Sequence, residues 1–393
     1  MHHKSKILIV LPSFHYGGTN SSTINMLNTL GKEKYVFDIL AIGHCGPLKS
    51  FYQEYFILRK RLCLSILLSS KLNEVKFYEY VLSILYRALR RIISYAKFNI
   101  DNIVFKYFVD YAIYSKYDVI IASQEGIATH FVSYFKNTNR IAWVRSNYAY
   151  YLRSRSFGFT DDAVFYRNYN SIICVSEFTR KEFCLIHPAF QDKVFAIHDL
   201  QDESLIEMKS SEPFNEYSDY ENDFLIVSLG RIDPVKKFSA IPKIAFEIKQ
   251  KKLKFKWFII GDVHDINEHK ALINNIDFYG VKDLVILLGA KINPYPFIRH
   301  AHLLVMTSLS EACPRVLIEA KILKTPVVTT NYGSASEFIV NEVDGYIVPI
   351  THMHLVICDL IENESLYAQL KSRCSEYIHD NSKPKAIIEG LIS

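Results

Sequence analysis

Two glutamates lie eight positions apart, on either side of a proline, in the stretch TSLSEACPRVLIEA at residues 307–320. Pro314 lacks an N–H, which costs nothing in the first turn of a helix, because the backbone donors there have no partner within the helix. We therefore predict a helix from about residue 314, with Glu311 in the loop before it and Glu319 about a turn and a half inside it. The amides of residues 315–317 would favour a phosphate group. The same spacing is also typical of a solvated helix with two surface glutamates.

Two cations follow another apolar run, FLIVSL at residues 224–229. Arg231 offers a planar fork of donors and Lys236 a compact point charge, a combination that suits a diphosphate. Taken alone, each is typical of a solvated loop. Gly289 and Glu311 also follow apolar runs, so the three segments together predict a nucleotide-diphosphate site at one edge of a sheet.

Apolar runs alternate with helical patterns through both halves of the chain, which is typical of parallel sheets covered on both faces. In the N-terminal half we predict strands at residues 6–12, 35–42, 118–122, 140–144, 171–175 and 194–197. In the C-terminal half we predict strands at residues 224–229, 256–260, 285–287, 303–307, 326–329 and 346–348. Helices are predicted between them at residues 241–251, 267–278, 295–300, 314–323 and 334–339.

A chain of 393 residues is too long for one ordinary core and indicates two domains. At about residue 200 the apolar periodicity gives way to acids, serines and Pro213, as is typical of a linker. The predicted division is an N-terminal domain at 1–200, a linker at 201–222, a C-terminal domain at 223–378, and a final segment at 379–393 that can pack back on the N-terminal domain.

The glycine pair Gly17 and Gly18 follows the first predicted strand and precedes a helical pattern at residues 23–30. Such a turn can bring the backbone close to a ligand, although a glycine pair here is also typical of a simple tight turn. The spacing is not G-x-G-x-x-G, so the dinucleotide fingerprint is absent. The first apolar run is too short for a signal-peptide core and is better explained as a buried strand.

Residues 59–106, from Arg59 to Lys106, hold ten basic residues against three acidic ones, with Leu, Ile, Phe and Tyr at helical intervals. A basic amphipathic helix of this kind can lie on an anionic membrane surface. It can equally bury its apolar face on its own sheet and leave the cations in water. The stretch is not apolar enough to cross a bilayer.

The composition narrows the class of protein. A formal net charge of +5 is modest for this length and does not indicate a nucleic-acid partner. The seven cysteines form no C-x-x-C pair and no zinc spacing, and we interpret them as reduced thiols in a cytoplasmic protein.

The segment SLGR at residues 228–231, with Lys236, resembles the G-R-(L/I)…K element of glycosyltransferase family 4. SEACPRVLIEA at residues 310–320 is similar to the family signature S-x-E-G-F-P-x-V-L-x-E-A, and TPVV at 325–328 continues the pattern. The resemblance covers nearly the whole chain and is most specific in the C-terminal half. It implies an α/β protein of the GT-B fold, with two Rossmann-like doubly wound parallel-sheet domains facing across a cleft.

The resemblance also implies a donor site for a nucleotide sugar, with no metal or other cofactor. Its residues would be Gly17, Gly18, Arg231, Lys236, Glu311, Cys313, Val316 and Glu319. Glu319 would bind the ribose hydroxyls, while Arg231 and Lys236 would hold the diphosphate. Glu311 would hold the donor sugar and, with the two cations, form the catalytic group. The chain contains no D-x-D triplet, as expected where cationic side chains replace a divalent metal.

The chain departs from the family pattern at several positions. Ala312 and Cys313 replace a Gly-Phe pair, and Lys237 takes the place of a glycine. Arg145 or Ser146 stands where the family often has a histidine near the donor sugar. The changes at Ala312 and Cys313 affect the shape of the sugar pocket. The change at Arg145 or Ser146 affects the contact of the N-terminal domain with the donor sugar.

The activity implied by the resemblance is transfer of a hexose, with retention of configuration, to a saccharide or lipid-linked acceptor in bacterial cell-surface polysaccharide synthesis. With Glu319 assigned to ribose, Glu311 remains as the carboxylate at the sugar, so front-face departure is favoured over double displacement. The expected partners are the nucleotide sugar, the acceptor and an anionic membrane surface, with no nucleic acid. A non-catalytic sugar-nucleotide-binding subunit that activates a partner enzyme is a second interpretation, and a sugar-nucleotide epimerase is a third.

Overall fold

The computed structural model describes residues 4–15, 17–43, 46, 48–49, 52, 57–58, 77–94, 103–106, 117–136, 138–154 and 162–393. They form two compact units. Unit 1 contains the described residues of Met1–Gln201 together with Asn381–Ser393, and unit 2 is Asp202–Asp380.

Unit 1 is built on a parallel sheet. Its described strands are β1 (Ser5–Ser13), β2 (Tyr35–Gly43), β3 (Ile57–Leu58), β4 (Val119–Ala122), β5 (Asn139–Val144), β6 (Ser171–Cys174) and β7 (Val194–Ala196). They lie in the order β3-β2-β1-β4-β5-β6-β7, and each neighbouring pair is parallel. The central strands are buried on both faces, since residues 7–11 of β1 and the whole of β4 are almost inaccessible to solvent. Continuous apolar runs are what a parallel strand covered on both faces requires.

The described helices of unit 1 are α1 (Gly18–Leu30), α2 (Phe77–Ser94), α3 (Ile127–Val132), α4 (Tyr148–Ser154), α5 (Ala163–Tyr166) and α6 (Glu177–Ile186). A 3-10 helix follows at Pro188–Lys193. Of the basic stretch at 59–106, the structure describes α2 and residues 103–106, and the rest of that prediction lies outside the described residues. Among the residues that the structure describes, none of the helices has both the length and the run of apolar residues that a bilayer crossing requires.

Unit 2 repeats the architecture. Its strands are β8 (Phe224–Leu229), β9 (Phe255–Ile260), β10 (Val285–Gly289), β11 (Leu303–Met306), β12 (Val327–Thr329) and β13 (Tyr346–Ile347). They lie parallel in the order β10-β9-β8-β11-β12-β13. The chain reverses its direction of winding between β8 and β11, as it does between β1 and β4 in unit 1. In open α/β sheets, ligands bind beyond the carboxyl ends of the strands at such a switch point.

The helices of unit 2 are α7 (Glu203–Ser210), α8 (Ile241–Gln250), α9 (Ile266–Phe278), α10 (Tyr295–Arg299), α11 (Arg315–Ile322), α12 (Ala335–Phe338), α13 (Met353–Glu362) and α14 (Glu364–Ser375). Short 3-10 helices lie at Ser218–Tyr220, Phe238–Ala240 and Ile350–His352. The helices cover apolar clusters on both faces of the sheet.

The stretch that we predicted as a linker, residues 201–222, contains α7. Asp202 caps this helix by accepting a hydrogen bond from the amide of Leu205 at 3.1 Å. Ile206 and Tyr217 are buried in the apolar core of unit 2. The boundary between the units therefore lies between Gln201 and Asp202.

The final helix, α15 (Ser382–Ile392), belongs to unit 1. Lys385 donates to the carbonyl of Thr29 in α1 at 2.8 Å. The carboxamide of Asn139 in β5 donates to the carbonyl of Leu391 at 2.7 Å. The chain thus returns to its first unit after completing the second.

Candidate active site

Two loops meet at the switch point of unit 2, one after β8 and one after β11. The amide of Leu309 donates to the carbonyl of Val235 at 2.7 Å. The hydroxyl of Thr307 donates to the carbonyl of Lys236 at 2.8 Å. Because β8 and β11 are neighbours in the sheet, these bonds bring side chains from two distant parts of the sequence to the same place.

Lys236 and Glu311, both predicted as site residues, are brought into contact there. Lys236 Nζ lies 2.5 Å from Glu311 Oε1, and both side chains are largely buried. Ser308 donates to the same carboxylate oxygen at 2.7 Å, and Ser334 donates to the backbone carbonyl of Glu311 at 2.9 Å. These bonds hold the carboxylate in one orientation. The two serines were missed from the sequence, because the pattern gave no reason to select them from the other serines of the loops.

A close backbone approach shapes this end of the sheet. A Cβ atom on Gly261 would lie 1.7 Å from the carbonyl oxygen of Gly230, so only glycine fits there. The amide of Gly261 donates to the carbonyl of Gly289, a predicted site residue, at 3.0 Å. The side chain of Lys236 passes over Gly230, where a Cβ atom would lie 3.1 Å from Lys236 Cε. The glycines thus leave room for the lysine to reach Glu311.

Asp233 orders the loop that carries the two predicted cations. Its Oδ1 accepts from the amides of Val235 at 3.1 Å and Lys236 at 3.0 Å, as expected of an aspartate in a turn. Its Oδ2 lies 3.4 Å from Arg231 Nη2. The Arg231 side chain is 57% exposed, so its guanidinium is accessible. Asp-Pro pairs are typical of turns, so the sequence could have indicated that Asp233 orders a turn here.

Lys237, which stands where the resembled family pattern has a glycine, has a left-handed backbone with φ of 53°. A non-glycine residue in this conformation is strained. We therefore expect Lys237→Gly to stabilise unit 2 by about 0.5 to 1 kcal/mol, since the relief of strain exceeds the entropy that glycine adds to the unfolded chain. The urea midpoint, followed by the fluorescence of the buried Trp257 of β9 in a Trp143→Phe background, measures this.

Lys243→Gly is the matched control, because Lys243 is an exposed lysine of α8. Glycine within a helix should lower stability by about 0.5 to 1 kcal/mol. A midpoint that falls equally in both variants would contradict a special role for the backbone at Lys237.

The helix α11 begins one residue later than predicted, since Pro314 is its N-cap and Arg315 its first residue. The amide of Leu317 donates to the carbonyl of Pro314 at 3.0 Å. The prediction that this amide faces a phosphate is therefore wrong, because the turn at Pro314 uses it. Cys313 and Val316 are half-buried and pack against the apolar core of unit 2.

Glu319 lies in the second turn of α11, as predicted, with its side chain 7% exposed. Arg315, four residues earlier, donates to its Oε1 at 2.7 Å. Tyr295 of α10 is close to the pair: burial, and then the Glu319 carboxylate, raise the pKa of its hydroxyl. Because Arg315 and Glu319 are four residues apart on one helix, their ion pair could have been predicted from the sequence.

Tyr332, in the loop after β12, is another residue near the site. Its side chain is buried. Burial raises the pKa of its hydroxyl, and the nearby carboxylate of Glu311 and the thiol of Cys313 raise it further. Nothing in the sequence indicated that Tyr332, which follows a buried strand, would lie beside Glu311.

The charges at the site therefore form three cation–carboxylate pairs: Arg231–Asp233, Lys236–Glu311 and Arg315–Glu319. Among the residues that the structure describes, no group of three or more His, Cys, Asp or Glu side chains is placed to hold a metal ion. Guanidinium and ammonium groups form strong hydrogen bonds with phosphate oxygens. The three pairs therefore supply both donors for an anionic ligand and carboxylates for hydroxyl groups.

Gly17 and Gly18 belong to unit 1, at the carboxyl end of β1, where α1 begins at Gly18. The hydroxyl of Thr19 donates to the Gln124 side chain at 2.6 Å. The carboxamide of Asn20 donates to the carbonyl of His15 at 2.7 Å. These bonds fix the start of α1 at the switch point of unit 1. The contact of the glycine pair with a donor stays a prediction.

Arg145 and Ser146 are bonded within unit 1. The Arg145 side chain forms an ion pair with Asp199, and each of the two is 7% exposed. Ser146 donates to the carboxylate of Glu125, which is also buried. Asp199 accepts a further bond from Ser22 of α1 at 2.7 Å. Arg145 thus connects the loop after β5 to α1.

Sequence comparisons give a family match in the second half of the chain. Residues 210–378 match the family model "Glycosyl transferases group 1". An uncharacterized glycosyltransferase of Methanocaldococcus jannaschii is 26% identical over 203 residues, which is 50% of this chain and 48% of that protein. N-acetyl-alpha-D-glucosaminyl L-malate synthase of Bacillus anthracis is 23% identical over 180 residues, 44% of this chain and 45% of that protein. The chain thus spans about half the length of these curated relatives.

The whole chain has structural counterparts. The crystal structure of Anabaena HepE in complex with UDP matches with a TM-score of 0.70 at 16% identity, covering 98% of this chain and 99% of that one. At this identity the likeness shows the fold alone, and it confirms the predicted fold class. The match at residues 210–378 confirms the resemblance proposed from Arg231, Lys236, Glu311 and Glu319. Residues 210–378 are thus similar to the group 1 glycosyltransferases, and the fold of the chain is GT-B.

Proposed function

We propose that this protein is a retaining glycosyltransferase that moves a hexose from a nucleoside diphosphate to a saccharide or lipid-linked saccharide acceptor. The observation that carries the proposal is the set of three cation–carboxylate pairs in the region that matches the family. A diphosphate would attract the cations of two pairs, Arg231 and Lys236, through charge-assisted hydrogen bonds. Glu311 would then accept a hydrogen bond from a hydroxyl of the donor sugar.

In the proposed reaction, the bond between the anomeric carbon and the diphosphate oxygen breaks while the acceptor oxygen attacks from the same face. Arg231 and Lys236 stabilise the negative charge that develops on the leaving diphosphate. A phosphate oxygen of that group takes the proton from the acceptor hydroxyl. The Glu311 carboxylate already accepts hydrogen bonds from Lys236 and Ser308, which weakens it as a nucleophile and supports front-face departure over double displacement.

We infer that the donor is a UDP-sugar. The solved HepE structures are complexes with UDP and with UDP-glucose. The geometry at Glu311 supports a hexose, whose hydroxyls a fixed carboxylate can bind. The proposed acceptor is a growing cell-surface saccharide on a lipid carrier, at the cytoplasmic face of the membrane. Residues 59–106 form the part of the chain that we propose faces this surface.

The donor site can be tested with Glu319→Gln. We expect saturation-transfer NMR with a panel of UDP-, GDP- and ADP-sugars to detect one donor class, and this substitution to weaken its binding about 10- to 100-fold. The reason is that the amide lacks the charge with which the carboxylate would hold the ribose hydroxyls.

Arg315→Gln is the control, because its amide can still donate to Glu319 while the ion pair is lost. Binding should change much less in this variant. Equal losses in the two variants would show that the ion pair matters rather than a ribose contact. Failure of every donor to bind the unaltered protein would contradict the proposed function itself.

A second candidate is a non-catalytic subunit that binds the nucleotide sugar and activates a partner enzyme. It is favoured by Arg145, which stands where the family often has a histidine and is bonded to Asp199. The same NMR samples distinguish the candidates when followed over hours with and without a saccharide acceptor. Donor binding without turnover would favour the subunit, whereas conversion of the sugar in the absence of acceptor would indicate an epimerase.

A further inference from the structure

Most of the described side chains of the helix α2 are exposed. At about 100° per residue, its apolar side chains fill one arc of the helix, and Ser83 and Arg87 lie on the opposite side. Ser83 is fully buried, and it donates to the carbonyl of Tyr80 at 2.7 Å. Arg87 in turn donates to the Ser83 hydroxyl at 3.3 Å, so contacts within the helix explain the burial of Ser83.

The apolar arc of α2 is exposed. Its large side chains are between 46% and 74% accessible to solvent: Phe77, Tyr78, Leu82, Leu85, Leu89 and Ile92. An ordinary surface helix buries this arc on its own core. The interpretation in which α2 buries its apolar face on the sheet is therefore wrong. Contiguous exposed apolar patches are rare on soluble proteins and mark binding surfaces for membranes or partners.

Charge distinguishes the possible occupants of this surface. The sequence of α2 carries Arg87, Arg90 and Arg91 against a single acid, Glu79. Arg87 and Arg91 are exposed, and on the helical projection Arg91 lies at the edge of the apolar arc. A second copy of the chain would bring two positively charged helices together, which is unfavourable. An anionic lipid surface offers phosphate groups to the arginines. Its hydrocarbon boundary offers apolar contact to the apolar arc.

We propose that α2 is an interfacial helix that seats this protein on an anionic lipid bilayer. The helix lies in the plane of the membrane, with Phe77, Leu85 and Ile92 below the headgroups and Arg91, at the edge of the arc, at the level of the lipid phosphates. Arg87, on the opposite side, adds a longer-range attraction that is strongest at low salt. This proposal rests on the proposed function in one respect, namely that the bilayer is where the enzyme would meet a lipid-linked acceptor. The vesicle binding itself requires no turnover.

The experiment is vesicle flotation of the full-length protein. We expect binding to vesicles of phosphatidylglycerol and phosphatidylcholine, and weak binding to phosphatidylcholine alone. The double substitution Leu85→Ser and Ile92→Ser should lower the bound fraction at least about 10-fold, because both side chains are exposed and lose their apolar contact with lipid. Arg87→Gln with Arg91→Gln should weaken binding about 30-fold at low salt and reduce its salt dependence.

Leu185→Ser is the matched control, since Leu185 is an exposed leucine of α6. It should float as the unaltered protein does. Donor binding by saturation-transfer NMR should be the same in all of these variants, which separates a failure at the membrane from a failure at the donor site. The proposal is overturned if the unaltered protein stays unbound, or if the α2 variants float equally well. If light scattering shows a dimer that the double substitution Leu85→Ser and Ile92→Ser dissociates, the surface binds a second copy of the chain instead.

Discussion

Replacing Arg231 with alanine is expected to lower kcat about 100- to 1,000-fold, with a smaller change in the donor KM. The Arg231 guanidinium is more than half exposed, and its ion pair with Asp233 is long at 3.4 Å. It is therefore loosely held before the donor arrives and can turn towards the leaving diphosphate. An interaction that strengthens as charge develops on that group contributes to the transition state more than to ground-state binding. Steady-state release of the nucleoside diphosphate, measured with a saccharide acceptor, gives both constants.

Two further variants sharpen this measurement. Arg231→Lys keeps the positive charge but loses the planar fork, so we expect partial recovery of kcat. Lys243→Ala removes an exposed cation of α8 that takes no part in the proposed site, and should retain full activity. Unchanged turnover in Arg231→Ala would show that the residue is a solvated loop arginine.

Replacing Gly261 with alanine is expected to destabilise unit 2 by about 3 kcal/mol or more. The new methyl group would overlap the carbonyl oxygen of Gly230 at 1.7 Å. Backbone on both sides of the contact would have to move, because no flexible side chain is available to yield. The shift would also disturb Lys236, which passes over Gly230. We therefore expect donor binding to weaken along with stability.

The sequence contains two tryptophans, one in each unit, and this allows the units to be followed separately. In a Trp143→Phe background, urea unfolding reports on unit 2 through Trp257, which is fully buried in β9. Gly390→Ala is the control. A Cβ atom on Gly390 meets nothing within 4 Å, and because α15 belongs to unit 1, this substitution should leave the unit 2 midpoint reported by Trp257 unchanged. An unfolding midpoint for Gly261→Ala that matches the parent protein would refute the steric argument.

Most strands could be predicted from the sequence because the sheets are covered on both faces. A strand such as β8 is then a continuous apolar run, and its predicted and observed limits coincide at Phe224–Leu229. Glu311 and Glu319 were placed correctly on either side of the start of α11, since proline restricts where a helix can begin. The helix α7 escaped prediction because eight residues carry too little periodicity to stand out from a polar stretch.

The contacts of the site could not be predicted in the same way. Lys236 and Glu311 are 75 positions apart, and only the strand order of unit 2 brings them together. The pairing of Arg145 with Asp199 likewise depends on how β5 and the segment after β7 end. For α2, periodicity indicates an amphipathic helix but carries no information on which face is turned outward.

The return of α15 to unit 1 makes unit 2 a contiguous insertion. Both ends of residues 202–380 lie at the boundary, while α15 keeps its bonds to Thr29 and Asn139. Recombination at these two points would exchange Arg231, Lys236, Glu311 and Glu319 in one piece. Variation in unit 1 and in unit 2 can therefore accumulate independently, because the two units can be exchanged without cutting through either sheet.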